Sequence, residues 1–210
     1  MFDKEKLLFE LDEEEKEIGD KVLDKAEQTL RRHEPRYTDF LNPRQLYITK
    51  PILEKIRDLK YFVYGGYQEA ERKILSVVPD YYIPDMIEPP LSLLEIRGQF
   101  KFQSVSHRDF LGAILGTGIK RSQVGDLITY EQGCQAIVIE DMVDYIKLNL
   151  DQVHKVGVEV EEISLAGLRE PTERTKEIRD TVPSLRLDSV ASSGFSTSRS
   201  KMSKEIAKGN

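Results

Sequence analysis

The side chains best suited to chemistry stand alone or point apart in this sequence. His107, Arg108 and Asp109 are consecutive, and neighbouring side chains on a helix diverge by about 100°, so they do not converge on one substrate atom. Cys134 lies in the uncharged segment QGCQA, whereas a nucleophilic thiolate needs a positive neighbourhood. We therefore expect His107 to serve structure or binding, Cys134 to be a small buried side chain, and the protein not to be an enzyme.

Composition excludes several further classes of protein. The chain has 210 residues, one cysteine and three isolated histidines, so the sequence predicts neither a disulfide nor a metal site. No apolar run approaches the roughly 18 residues of a membrane span, and the acidic N-terminal segment does not resemble a secretory leader. We expect a cytoplasmic protein with no membrane partner, no metal and no cofactor.

Charge is distributed unevenly along the chain, although the formal net charge is -6. Residues 1–30 carry 5 basic and 11 acidic groups. Residues 31–75 carry 10 basic against 6 acidic groups, and residues 183–210 carry 5 against 2. These two basic segments would allow a limited surface to bind a polyanion such as nucleic acid.

Two glycine-containing segments carry adjacent basic residues that could contact phosphate. The segment GTGIKR ends in Lys120 and Arg121, and the pair GG at 65–66 precedes Arg72 and Lys73. Glycine lets a ligand approach the backbone closely, and basic side chains are the usual partners of phosphate oxygens. The same patterns also fit a helix-terminating glycine followed by surface charges, and a plain strand-to-helix turn followed by a solvated face.

The first third of the chain is predicted to be mostly helical. Apolar residues recur at helical spacing over 3–32, which predicts two helices or one bent helix. Further helical stretches are expected to begin near Pro43 and near Pro51, since proline is favourable in a first helical turn. The aromatic and β-branched segment 60–64 predicts a strand, and the two glycines then lead into a predicted helix over 67–75.

Beyond a proline-rich connector the predicted element order is βαββαβ. The strands are expected near 93–97, 126–130, 135–140 and 157–163, with helices near 106–115 and 141–150. This order predicts a ferredoxin-like, RRM-like domain with four antiparallel strands and two helices on one face. The third strand, QAIVIE, has no aromatic residue, so we do not expect bases to stack on that sheet.

The tail SLRLDSVASSGFSTSRSKMSKEIAKGN predicts two short helices joined by GFST. Its R-L-D and S-R positions resemble the alpha-L RNA-binding domain, also called the S-four type. The resemblance implies RNA binding by Arg186, Asp188, Ser198, Arg199, Lys201 and Lys204. A serine at a helix start leaves N–H groups and a positive dipole end for phosphate. The chain stops where that family's strands begin, so we expect a truncated motif. The alternative is an amphipathic helical hairpin with a basic outer face.

A wider series of motifs precedes this tail. TDFLNP begins at residue 38, GGYQEAERK at 65, HRDFLGA at 107 and GTGIKR at 116. Together with the tail, this series resembles the bacterial YlmH family of RNA-binding proteins over about residues 30–210. The resemblance implies a ribosome-associated quality-control factor that binds the large subunit carrying an obstructed peptidyl-tRNA. Such a factor contacts ribosomal RNA and tRNA and supports untemplated C-terminal tailing of the stalled chain.

The expected fold class is α+β, in five segments. They are an N-terminal mostly helical domain with a small strand unit over 1–75, a connector over 76–90, a ferredoxin-like domain over 91–165, a linker over 166–182 and a partial alpha-L motif over 183–210.

The expected function is non-catalytic binding of ribosomal RNA and tRNA on the large ribosomal subunit by a monomer, with Lys120, Arg121, Arg72 and Lys73 as a second set of contacts. Two alternatives remain open. One is an accessory of an RNA-modifying enzyme, because alpha-L domains also accompany such enzymes. The other is a protein-interaction scaffold in cell division that uses the acidic helices within residues 3–30.

Overall fold

The computed structural model describes residues 2–100, 105–169 and 177–208, and this part of the chain combines helices with two antiparallel sheets. The predicted α+β class is therefore confirmed. The chain divides into two compact units, Met1–Glu170 and Pro171–Asn210. The finer division into five segments stays a prediction.

Among the described residues, the first unit contains both helices and strands, and the helices of the second unit are α6 and α7. The helices are α1 (Lys4–Leu8), α2 (Glu13–Arg32), α3 (Pro43–Glu54), α4 (His107–Gly116), α5 (Val143–Asn149), α6 (Leu187–Gly194) and α7 (Arg199–Ala207). The strands are β1 (Arg36–Leu41), β2 (Leu59–Tyr64), β3 (Lys73–Pro79), β4 (Leu91–Gly98), β5 (Val124–Tyr130), β6 (Gly133–Ile139), β7 (Gln152–Val153) and β8 (Val156–Ile163).

A three-stranded sheet with the order β1-β3-β2 packs against the first three helices. α2 begins at a reciprocal cap, in which the side chains of Asp12 and Glu15 each accept the other's backbone N–H. Asn42 and Gln45 cap α3 in the same way. Such caps satisfy N–H groups that a helix start leaves unpaired. The shared core of helices and sheet contains Val22, Leu23, Ala26, Leu46, Ile52, Leu53, Leu75 and Val77.

The segment that follows the glycine pair is a strand and not a helix. β2 and β3 form an antiparallel hairpin, so the predicted helix over 67–75 is wrong. β3 lies between β1 and β2, and residues 74–79 are buried. Leu75 and Val77 belong to the core under the helices, whereas Ile74 belongs to the core shared with the second sheet. A strand covered on both faces has a nearly continuous apolar sequence, which lacks the alternation that marks a half-exposed strand.

Two other predictions for this region need correction. The helical stretches expected near Pro43 and Pro51 are one helix, α3, with Pro51 in its last turns. Burial of Leu46, Ile52 and Leu53 on one side of α3 offsets the hydrogen bond that an internal proline removes. β1 was not predicted, because RYTDFL is a mixed polar segment that pairing with β3 holds in place.

The second sheet has the strand order β5-β6-β4-β8-β7, and each neighbouring pair is antiparallel. The elements follow the predicted order, with the short β7 added before β8. α4 and α5 cover one face, where the core includes Leu94, Ile96, Phe110, Ile114, Ala136, Val138 and Ile146. The other face meets the first sheet through a separate core that contains Phe40, Ile74, Leu93, Ile128 and Ile137. The two sheets of the first unit are therefore packed together.

Candidate nucleic-acid interface

Arg72 and Arg121 meet where the two sheets join. Arg72 lies in the turn just before β3, not on the predicted helix. Its Nε donates to the carbonyl of Val124 at 3.2 Å, and its Nη2 donates to the carbonyl of Phe40 at 3.0 Å. Nη1 of Arg121 donates to the carbonyls of Val124 and Gly125. Since a guanidinium has five N–H donors, each arginine keeps donors to spare.

The positive charges of these arginines are partly desolvated. Burial lowers the pKa of Arg72, and the like charge of Arg121 lowers it further, while Asp126 and Glu71 act in the opposite direction. Burial also lowers the pKa of Arg121. The Asp126 carboxylate is already engaged, because it accepts the backbone N–H groups of Glu71 at 2.6 Å and Arg72 at 3.1 Å and the hydroxyl of Tyr67 at 2.9 Å. Asp126 thus fixes the turn that carries Arg72.

The lysines beside these two arginines differ in environment. Lys120 is exposed and forms no ion pair with any residue that the structure describes. Lys73 instead donates from Nζ to the carbonyl of Gln68 at 3.0 Å and so closes its own turn. Of the second set of predicted contacts, the structure therefore brings Arg72, Lys120 and Arg121 to one place and gives Lys73 a local partner.

A cleft of about 560 Å³ opens at this place, and we call it the junction cleft. Parts of α2, β1 and the start of α3 line it together with Arg72 and residues 120–122. Its basic lining residues are Lys21, Lys25, Arg72, Lys120 and Arg121, and Asp39 is the one acidic residue among the described residues that line it. The sequence reasoning missed Lys21 and Lys25 because α2 is acidic overall. Their spacing of four residues, which places both on one helical face, was the available signal.

The positions that a Cβ would occupy on Gly65 and Gly66 are filled by the chain's own atoms. A Cβ on Gly65 would lie 2.3 Å from the carbonyl oxygen of Arg72. Gly66 has a φ of +98°, and a Cβ there would lie 2.7 Å from Cδ1 of Ile137. The glycines therefore allow the turn to pack on the chain's own atoms, and ligand approach at this pair stays a prediction.

The second sheet offers no open platform for stacked bases on the face opposite α4 and α5. Phe40 and its neighbours from the first sheet cover one end of this face. At the other end, buried Glu95 accepts from the hydroxyl of Tyr130 and from Nε2 of Gln135. Burial raises the pKa of Glu95, but these hydrogen bonds and the positive charges of Arg97 and Arg169 together outweigh it, so the pKa is lowered. The guanidinium of Arg169 lies 3.7 Å above the ring of Tyr130 and occupies its face.

In the second unit, Asp188 forms ion pairs with two of the arginines that are predicted to contact RNA. Its carboxylate accepts from Nε of Arg199 at 2.6 Å and from Nε of Arg186 at 3.2 Å. The hydrogen bond from Arg199 has the largest effect on the pKa of Asp188, and it lowers this pKa. Burial acts in the opposite direction, but the bond from Arg186 again lowers the pKa, and the net result is a pKa of about 2. Asp188 therefore ties the start of α6 to the start of α7 and orients both guanidinium groups, while its charge offsets part of theirs.

The remaining predicted tail contacts lie on or beside α7. Ser198 caps this helix by accepting the backbone N–H of Lys201 at 3.3 Å. Lys201 and Lys204 are exposed, and neither forms an ion pair within residues 177–208. These two lysines thus present positive charge to solvent without a counter-charge from the described residues of this unit.

Two of the residues first considered for catalysis, Asp109 and Cys134, have structural surroundings in the fold. The Asp109 carboxylate accepts the backbone N–H of Ser106 at 2.8 Å and its hydroxyl at 2.6 Å, which caps α4, and these bonds lower the pKa of Asp109. Cys134 is fully buried on β6, as predicted, and burial raises the pKa of its thiol.

Two further kinds of site are absent from the described residues. Their Cys, His, Asp and Glu side chains form no group of three or more that could hold a metal ion. No helix among them combines the length and the apolar sequence that a membrane crossing requires.

The fold and the site define an α+β protein in which two adjoining antiparallel sheets frame a basic cleft and a separate helical hairpin carries further basic residues. Comparison with known proteins identifies the class more closely. Residues 14–82 match the family model "YlmH, N-terminal". Residues 84–167 match the model "Putative RNA-binding domain in YlmH".

Individual relatives agree with these matches. "Ribosome-associated protein quality control protein P2" of Bacillus subtilis (strain 168) is 35% identical over 188 residues, which cover 90% of this chain and 73% of that protein. A solved structure, "Cell division protein ylmH from Streptococcus pneumoniae", has a TM-score of 0.63 at 25% identity, and the match covers 74% of this chain and 94% of the other. The chain belongs to the YlmH family, which confirms the resemblance drawn from its motifs.

Proposed function

We propose that this chain is a non-catalytic RNA-binding protein that acts on the large ribosomal subunit during the rescue of stalled translation. The observation that carries the proposal is the match to a ribosome-associated quality-control protein over 90% of the chain. The match of residues 84–167 to a YlmH RNA-binding domain supports it independently. The proposed partners are ribosomal RNA and the tRNA of a subunit that holds an unfinished peptide.

The α6–α7 hairpin supplies the first group of phosphate contacts in this proposal, as a partial alpha-L motif. Arg186 and Arg199 are held in place by Asp188, and Lys201 and Lys204 add free positive charge. Side chains that are already held in one orientation lose little conformational entropy when they bind. Phosphate neutralisation releases counterions, so binding through this hairpin should weaken steeply as salt increases.

The first unit supplies the second group of contacts through Arg72, Lys120 and Arg121. We infer that its second sheet is the ferredoxin-like, RRM-like domain, whose usual mode of binding stacks bases on aromatic side chains of the open sheet face. Here the first sheet and the Glu95 network cover that face. The unit would therefore read RNA through its shape and its phosphates and not through stacked bases.

The proposed role needs binding and positioning alone, so we infer that the chain acts without catalysis, as a cytoplasmic monomer. A rescue factor of this kind would stabilise one arrangement of tRNA on the large subunit. Its contribution would come from differential affinity for loaded and empty subunits.

A second candidate function is a protein-interaction scaffold. The similar solved structure from Streptococcus pneumoniae is named as that of a cell division protein. The acidic α1 and α2 of this chain also offer a surface suited to a basic protein partner. Salt dependence and RNA content separate the two candidates, because a scaffold would bind its partner without ribosomal RNA.

Co-sedimentation of the full chain with purified large subunits tests the proposal. Subunits that carry peptidyl-tRNA and empty subunits are compared at several salt concentrations. The proposal predicts preferential pelleting with loaded subunits and a steep loss of binding with salt. Absence of pelleting with either kind of subunit at low salt would contradict it and favour the scaffold.

A further inference from the structure

The junction cleft has the size and lining of a small-molecule site. Its volume of about 560 Å³ falls within the range of about 300–1,000 Å³ that such sites occupy. It is lined by both basic and apolar residues, the apolar ones including Ile18, Val22 and Leu41. A cleft of this size holds more than an isolated phosphate, and its mixed lining suits a ligand with an anionic group and a flat, less polar part.

Positive charge dominates the cleft. Lys21 is neutralised by Glu17, with Nζ 2.7 Å from the carboxylate, and the hydroxyl of Ser122 donates to Asp39 at 2.8 Å. Lys25 and Lys120 form no ion pair with a described residue. Lys25 and Lys120 therefore have no counter-charge at ion-pair distance among the described residues, while Asp126 and Glu71 offset part of the charge of Arg72 and Arg121.

Arg72 and Arg121 are held rigidly and remain able to donate. Their hydrogen bonds go to backbone carbonyls of Phe40, Val124 and Gly125. Carbonyls orient a guanidinium without removing its charge, and the unused N–H groups suit the geometry of phosphate oxygens. An anion placed between the two arginines would also relieve their mutual repulsion.

The cap of α3 adds neutral donors to the cleft. Oδ1 of Asn42 accepts the N–H of Gln45, and Oε1 of Gln45 accepts the N–H of Asn42, both at 2.9 Å. The oxygens of both amides are thus occupied, while neither NH₂ group donates to a residue within the described part of the chain. Such fixed amides suit recognition of phosphate, ribose or base acceptors.

We propose that the junction cleft binds a nucleotide through its phosphate group, with Arg72 and Arg121 as fixed donors and Lys25 and Lys120 as additional cations. The nucleotide is either free in solution or part of an RNA strand. This inference deepens the proposed RNA-binding function by assigning these residues a phosphate site in the junction cleft, and it rests on that function where RNA is the source.

Calorimetric titration of the full chain tests this proposal without ribosomes. The probes are adenosine 5′-monophosphate, adenosine and a five-nucleotide RNA. The test variant is Lys25→Gln with Lys120→Gln, which leaves the structural arginines intact. The matched control is Lys147→Gln with Lys155→Gln, two exposed lysines of the same unit outside the cleft.

The proposal predicts that the monophosphate binds at least about tenfold more tightly than adenosine and that the test variant loses at least about tenfold in affinity, while the control stays within about twofold. Tighter binding of the RNA than of the monophosphate supports RNA as the source, and the reverse order supports a free nucleotide. Equal binding of adenosine and its monophosphate, no binding of any probe, or an unaffected test variant would overturn the proposal. Normal pelleting with loaded subunits alongside such a result would leave the ribosomal function standing, so the two failures are distinguishable.

Discussion

Replacement of Lys201 and Lys204 by glutamine should weaken binding to large subunits about 20-fold at about 0.15 M salt. Both lysines are exposed and free of ion pairs within the second unit, so each can neutralise one phosphate and release one counterion. If each contact contributes about 0.8 to the slope of log K against log salt, each is worth a factor of about 4.5 at that salt concentration. The factors for the two contacts multiply to the expected loss of about 20-fold.

The assay is sedimentation of labelled chain with large subunits at four salt concentrations between about 0.05 and 0.2 M. The double variant should lower the magnitude of the slope by about 1.6. The matched control is Lys6→Gln with Lys16→Gln, which removes the same charge from the acidic helices α1 and α2. Circular dichroism of both variants verifies that helix content is unchanged.

One result would refute this reasoning. If both double variants lowered affinity equally, or if neither changed the salt slope, the hairpin lysines would not be phosphate contacts. RNA binding by the chain would then have to come from the first unit.

Three further predictions concern stability and reactivity. Phe40→Ala should lower the free energy of unfolding by about 3–5 kcal/mol in urea titrations, because the Phe40 side chain is 1% exposed between the sheets. The control is Phe9→Ala, at a side chain that is 83% exposed. This control should change the free energy of unfolding by less than about 0.5 kcal/mol. Asp188 has a pKa of about 2 against an ordinary 3.8, so its contribution to the stability of the α6–α7 hairpin is present above about pH 4 and lost as pH falls through about 2. NMR signals of the hairpin should show this loss in the wild-type chain and lack it in Asp188→Asn. Cys134 should react with a thiol reagent only after unfolding, and rapid labelling of the native chain would contradict its burial.

The sequence predicts the second sheet better than the first. Strands such as β4 and β6 are separated by clear helices and turns, so their order could be assigned from local patterns. β3 could not, because KILSVV is buried on both faces and its apolar run fits a buried helix as well as a buried strand. β1 could not be assigned for a different reason, because its mixed polar sequence is held in place by pairing with β3.

The candidate site was predictable in its residue types but not in its assembly. Lys120 and Arg121 were recognisable as an adjacent basic pair, yet nothing local shows that Arg72 comes to the same place. Long-range packing of Phe40 and Ile74 on the second sheet brings Arg72 close to the basic pair. The pairing of Asp188 with Arg199 likewise depends on the angle between two helices, which their separate sequences do not specify.

Ultraviolet crosslinking of the full chain to large subunits that carry peptidyl-tRNA tests the central claim, RNA binding on the ribosome, most directly. The account predicts crosslinks to ribosomal RNA or tRNA, with the crosslinked peptides drawn from residues 183–208 or from the residues that line the junction cleft. Crosslinks to ribosomal proteins alone, with peptides from the acidic helices α1 and α2, would contradict it.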